Sequence, residues 1–244
     1  MSLSYASLHL RDPQPMLDKV LRTWGGHDDL WVFGYASLIW RPEFDAVEQR
    51  DASVHGWHRA LRMRSRVNRG TPECPGLVFA LVPGGSCRGM AYRIERQHGA
   101  AELARLWVRE MPTGVYDPKW LTCRTPQGPV NALAFTLSRS SPAHTGAVED
   151  AQMLNILRNA RGRFGSTLDY LLDTARSLRR CGIRDCEIER LVALARHHAL
   201  GDELEVEVTR KATQEDTREV TPDFTQDHPY DSVRLHPLPN ALMK

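Results

Sequence analysis

Glu110 is the residue whose type and setting best suit proton transfer. It closes an amphipathic stretch, Gly99 to Glu110, in which Leu103, Leu106 and Trp107 share a face. At about 100° per residue, Glu110 falls within ~20° of Leu103 and beside Trp107, so its carboxyl points where the apolar side chains point. Arg105 and Arg109 fall on the other, solvated side. Pro112 disfavours helical geometry at Met111, which places Glu110 at the helix C-terminus. Desolvation and the negative end of the helix dipole both disfavour a carboxylate there. Unless a cation compensates, the pKa rises toward the range in which a glutamate exchanges protons near neutral pH. The plainer alternative is a helix end whose carboxylate turns to water or pairs with an arginine.

A second feature is Phe33-Gly34-Tyr35-Ala36-Ser37-Leu38-Ile39-Trp40, an apolar run interrupted by small residues. Gly34, Ala36 and Ser37 leave room for a ligand to approach the backbone, and successive N–H groups in such a turn can receive a carboxylate. A plain strand-to-loop junction is the competing reading. Ser37 lacks a Gly-x-Ser-x-Gly elbow and an identifiable His/Asp partner. His197-His198 lacks the spacing of a metal pair. Pro83-Gly84-Gly85-Ser86 has no lysine in the phosphate-loop register and reads as a turn.

The elements that must carry these residues follow from pattern. A short helix is predicted over Pro15 to Trp24, closed by Gly25-Gly26, and a buried strand over Leu30 to Phe33. Further strands are predicted over Val54 to Met63, Gly76 to Val82, Arg88 to Ile94 and Val130 to Leu137. The Pro83-to-Ser86 turn joins the third and fourth of these five as a hairpin. Helices are predicted over Gly99 to Glu110 and Val148 to Ala160. A capping-box pattern at Ser166-Thr167-Leu168-Asp169 opens another, and Asp185 caps the last. Early strands followed by late helices give an α+β fold. Leu204 to Val208 alternates like an edge strand, and the polar stretch beyond it reads as a tail.

Three segments result: a lead-in over 1–28, a domain over 29–200 and an acidic polar extension over 201–244. The extension holds 10 acidic and 5 basic residues, leaving a surplus of +7 on the rest. Such a field suits small anionic substrates, but it is too dispersed for nucleic acid. No apolar run of ~18 residues spans a membrane, and Met1 to Arg22 lacks a secretory pattern. Five cysteines without metal or redox spacing fit reduced thiols, so a cytoplasmic protein is expected.

The ordered motifs resemble the ChaC family of γ-glutamylcyclotransferases. Trp31 to Trp40 is similar to its most distinctive motif. Gly56-Trp57-His58-Arg59, Arg69-Gly70-Thr71-Pro72, Pro83 to Ser86 and Gly89-Met90-Ala91-Tyr92-Arg93 resemble the next blocks in order. Leu106 to Met111 with Gly114 and Tyr116 resembles the segment bearing the catalytic glutamate, and Gly162 to Leu172 the last motif. The resemblance covers roughly residues 29–198.

It implies a bent mixed β-barrel with flanking helices, and a reaction without metal or cofactor. The α-amine of the γ-glutamyl group attacks the side-chain amide carbonyl of glutathione, giving 5-oxoproline and Cys-Gly. Glu110 is then the general base and acid. Tyr35, Ala36, Ser37, Leu38 and Ile39 grip the glutamyl half, while Tyr116 and Tyr170 hydrogen-bond substrate. Glutathione is the expected partner, with no obligate protein partner evident. A different γ-glutamyl compound, or a silent ligand-binding homologue, are the alternatives. The family usually has glycine where this chain has Ala36. If that position needs positive φ, alanine costs of order 1 kcal/mol.

Overall fold

The computed structural model describes residues 11–200, so the predicted strand at Leu204 to Val208 lies outside the described residues. The first element, α1 (Gln14–Trp24), ends at Gly25, whose φ of +72° lets its N–H reach back to the Leu21 carbonyl at 2.9 Å. A side chain would resist that left-handed turn. Among the described residues five long strands follow in and around the helices, β1 (Leu30–Gly34), β2 (Glu48–Ser65), β3 (Gly76–Ile94), β4 (Asp117–Thr125) and β5 (Gly128–Thr136), and two two-residue strands, β6 (Arg161–Gly162) and β7 (Gly165–Ser166), pair separately. The five long strands close into a barrel in the order β1-β3-β2-β4-β5.

The pairing is mixed. β3 runs antiparallel to both β1 and β2, and β4 antiparallel to β5. Parallel contacts close the barrel, Val32 of β1 opposite Leu133 of β5 and Leu81 of β3 opposite Thr136. The strands bury Phe33, Phe79, Leu81, Ile94, Leu133 and Phe135. Removing such side chains from water supplies the main drive for closure. The expected α+β class and bent mixed barrel are what the fold shows.

The predicted hairpin at Pro83 to Ser86 is not there. β3 runs straight through those residues and stays paired with β2 on both sides, His55 opposite Ser86 and Trp57 opposite Pro83. Gly56, Gly84 and Gly85 absorb the mismatch as a bulge, with φ of +79°, +107° and +69°. Consecutive glycines with positive φ suit a tight turn and a bulge equally, so local sequence cannot separate the two. The bulge bends one long two-stranded ribbon into the barrel wall. β4 was not foreseen, since its residues alternate only weakly between buried and exposed.

Among the described residues six helices pack around the barrel: α1, the short α2 (Ser37–Trp40), α3 (Arg96–Glu110), α4 (Asp150–Asn159), α5 (Thr167–Arg180) and α6 (Cys186–His197). α5 opens with the capping box expected at Ser166. Its hydroxyl accepts from Asp169 N at 2.9 Å, and the Asp169 carboxylate accepts from Ser166 N at 2.8 Å. Asp185 caps α6 through Ile188 N at 3.1 Å. Helix α3 starts three residues earlier than predicted. Gly99 lies inside it because the Trp24 ring of α1 rests there; an added Cβ would meet that ring at 2.5 Å. Among the described residues, no helix is long and apolar enough to cross a membrane.

Candidate active site

A pocket of about 280 Å³, open solvent at its mouth included, lies where the β1–α2 corner meets the end of α3. Tyr35, Ala36, Ser37 and Leu38 form one side, and Glu110, Tyr116 and Tyr170 another. Phe79 of β3 and Phe135 of β5 complete the wall. The two phenylalanines escaped the sequence reading. Both lie in predicted strands, but which side chain of a barrel strand faces a pocket depends on closure.

Glu110 ends α3 where Pro112 and the Met111 N–H to Trp107 carbonyl bond (2.8 Å) stop the helix. Its side chain is 14% exposed. Burial pushes its pKa up, while the charge and hydrogen bond of Arg109 pull it back and Glu43 pushes it up again. The raised direction matches the expectation; the reason is desolvation opposed by a cation.

That cation corrects the sequence reading of Arg109. Far from solvated, its side chain is itself 14% exposed and pairs through Nε with Glu110 Oε1 at 2.9 Å. Nη1 meets Glu43 Oε2 at 3.2 Å and donates to the carbonyls of Arg41 and, at 3.0 Å, Pro42. Nη2 donates to Ser37 Oγ at 3.2 Å. The fork of one guanidinium thus fastens the end of α3 to the loop after α2. Helical periodicity assigned Arg109 to the outer face because it cannot see that the 41–43 loop covers that face.

Tyr35 is fixed from two sides. Its hydroxyl donates to the Phe135 carbonyl at 2.9 Å and is hydrogen-bonded to Tyr116. Its carbonyl accepts from Arg59 Nε, and the same buried arginine donates to the Arg88 carbonyl and pairs with Asp185. Arg59 therefore joins β2, β3 and the α6 N-terminus behind the β1–α2 corner. Tyr170 packs edge-on to Trp40, beside Phe79, with the Arg69 guanidinium 5.0 Å over its ring. Burial raises the pKa values of Tyr35, Tyr116 and Tyr170, and the Glu110 charge adds to the rise at each. All three phenols stay protonated at neutral pH and keep their hydrogen-bond donors.

The 35–39 loop differs from expectation in three details. Ala36 has φ of −144°, so its methyl carries no left-handed penalty, and the cost attached to alanine there does not arise. Gly34 leaves no room for a ligand; an added Cβ would sit 2.9 Å from the Tyr92 ring and 3.1 Å from Leu38 Cβ. Ile39 does not line the pocket, and its N–H turns back to the Ala36 carbonyl at 2.9 Å. Ser37 and Leu38 open α2, where first-turn N–H groups have no partner four residues back. Among the described residues, no three His, Cys, Asp or Glu side chains are grouped as a metal site. The five cysteines are unpaired.

The glutathione-specific gamma-glutamylcyclotransferase of Escherichia coli (strain K12) is 34% identical over 157 residues, covering 64% of this chain and 68% of that protein. Glutathione-specific gamma-glutamylcyclotransferase 1 of Homo sapiens is 32% identical over 163 residues, 65% of this chain and 73% of that protein. The crystal structure of a yeast cyclotransferase specific to glutathione superposes with a TM-score of 0.63 at 20% identity, covering 70% of this chain and 97% of that one. At that identity the likeness speaks for the fold alone. A model of the ChaC-like protein family matches residues 30–198, more than half of the sequence, and the chain belongs to that family.

Proposed function

We propose that this protein is a glutathione-specific γ-glutamylcyclotransferase that converts glutathione to 5-oxoproline and Cys-Gly, with Glu110 as general base and then general acid. The observation that carries the reading is one buried carboxyl, its pKa raised by desolvation, set in a pocket walled by three protonated tyrosines. The names of the relatives at 34% and 32% identity support the choice of substrate.

The chemistry needs little more. The glutamyl α-amine is an ammonium in water and cannot attack until it loses a proton. Glu110 takes that proton, the nitrogen adds to the γ-carbonyl carbon, and a five-membered ring closes. The same carboxyl returns the proton to the cysteine nitrogen as the C–N bond breaks. The second proton shed by the ring nitrogen ends on the same amine, so Cys-Gly leaves as an ammonium and the lactam is neutral. Atoms and charge balance without a cofactor. Attack is intramolecular, so the pocket mainly holds the substrate folded with amine and carbonyl in contact. The Ser37 and Leu38 N–H groups suit the glutamyl α-carboxylate. Tyr116 and Tyr170 offer hydroxyls along the opposite wall. A cytoplasmic setting agrees with the unpaired cysteines.

The test is product analysis after purified, metal-stripped protein is incubated with reduced glutathione. Equal amounts of 5-oxoproline and Cys-Gly are expected. If neither forms, glutathione is excluded as the substrate. Glu110→Gln should fold and bind glutathione, yet turn over about 10²–10⁴-fold more slowly; near-normal turnover would remove Glu110 from the mechanism.

A further inference from the structure

The connection from α3 to β4 carries Tyr116 and has no regular structure of its own between Met111 and Tyr116. Beyond its own turn, in which the Gly114 N–H donates to the Met111 carbonyl at 3.1 Å, it is held by a side chain from outside the family match, which begins at residue 30. Arg11 Nε donates to the Gly114 carbonyl at 2.9 Å. Nη2 donates to the carbonyls of Val115 at 2.9 Å and Tyr116 at 2.8 Å. Nη1 pairs with Asp117 Oδ1 at 2.6 Å, just where β4 begins.

The backbone of the same segment fits the connection as closely. Gly114 has φ of +59°, and a Cβ there would lie 2.1 Å from the Arg11 carbonyl oxygen. Two residues on, the Pro13 carbonyl accepts from Trp107 Nε1 at 2.9 Å, one turn before Glu110. The lead-in therefore touches both ends of the segment that presents Glu110 and Tyr116.

Three consecutive carbonyls converging on one point repel each other unless a cation sits there. A guanidinium presents five N–H donors in a fixed plane and can serve all three and the Asp117 carboxylate together; an ammonium cannot. We propose that Arg11 is a positioning residue for the active site, acting through Tyr116: it fixes the loop that holds the Tyr116 hydroxyl against Tyr35 at the pocket wall. The N-terminal lead-in is on this account a working part of the catalytic unit. The inference rests on the cyclotransferase reading of the pocket, where a displacement of about 1 Å can cost up to ~10²-fold in rate.

The test is a double-mutant cycle in the full chain, with kcat and KM measured on glutathione for wild type, Arg11→Ala, Tyr116→Phe and the double variant. Arg11→Ala should lower kcat/KM about tenfold while its melting temperature stays close to wild type. In the Tyr116→Phe background the same change should cost less than about twofold. Equal losses in both backgrounds, or no loss from Arg11→Ala, would overturn the proposal. Amide hydrogen exchange over residues 112–117 gives a second readout that needs no turnover. Faster exchange in Arg11→Ala supports the clamp, and unchanged exchange overturns it. If wild type releases no 5-oxoproline, the functional reading fails while exchange still decides whether Arg11 holds the loop.

Discussion

Tyr116 and Tyr170 reach one pocket by opposite routes. Tyr170 arrives on α5, whose first turn is fixed by Ser166 and Asp169, three residues apart in sequence. Tyr116 arrives on a loop fixed by Arg11, more than a hundred residues away. The first device is local, uses side chain and backbone of adjacent turns, and adds to helix stability. The second ties together pieces that have no intrinsic preference for one another. Stability and placement of functional groups are thus separable in this molecule, and substitutions in the two regions should show it.

The largest effect falls on the group both tyrosines surround. Beyond its lost turnover, Glu110→Gln should change how stability depends on pH. The folded-state pKa of Glu110 is raised above its ordinary 4.5, so the fold favours the protonated form. Its contribution is fully present below the unfolded pKa and is lost as pH rises through the folded one. Glutamine does not ionise, so thermal melts should show the variant gaining on wild type as pH rises. A constant difference between the two would mean that Glu110 is not desolvated.

Next comes Arg109→Gln, which removes the opposing charge beside Glu110 and unlatches the loop at Ser37, Arg41 and Pro42. The expected loss in kcat/KM is about tenfold. The acid limb of the pH–rate profile reports ionisation of the free enzyme's base, and it should move to higher pH once the Arg109 charge no longer pulls the Glu110 pKa down. The facing groups are Glu43, whose charge pushes the same way, and the three tyrosines, which remain neutral across that range. An unmoved limb would separate the ion pair from catalysis.

Smaller still is Ser166→Ala on the Tyr170 side. Loss of the cap should cost about 1 kcal/mol, or about 2–4 °C in melting temperature, while kcat/KM changes less than about twofold. This is the reverse of the pattern expected for Arg11→Ala. If Ser166→Ala instead lowered activity with little change in melting, the contrast between local stability and distant placement would collapse. The smallest effect belongs to Ala36→Gly. Because φ there is negative, glycine relieves nothing and should cost at most about 1 kcal/mol through added chain freedom. Activity should stay close to wild type, measured as kcat/KM.

Much of the scaffold and the identity of the central residue were readable from sequence. The 3.6-residue period of α3 put Glu110 on the apolar face. The capping box, the Asp185 cap and the buried Leu30-to-Phe33 strand were legible because each is written in neighbouring residues. The Phe33-to-Trp40 pattern marked a corner that lines the pocket, although Ile39 turns out to sit beside the pocket rather than in it. The misreadings share one cause. Gly84-Gly85 satisfies the backbone demands of a hairpin and a bulge alike, and only the pairing of β2 along the whole of β3 selects the bulge.

What the sequence determined by itself is how the helices are capped, which faces are apolar and which carboxyl those faces desolvate. Such properties depend on residues within one turn or one strand. What only the tertiary structure decided is which cations meet that carboxyl and its surroundings. Arg109 finds Glu110 together with the 41–43 loop, Arg59 reaches Tyr35 from β2, and Arg11 gathers the carbonyls before β4. The physical reason is reach. A guanidinium on a long flexible stem can serve any acceptor that folding brings near it, so its partners follow from barrel closure rather than from sequence spacing.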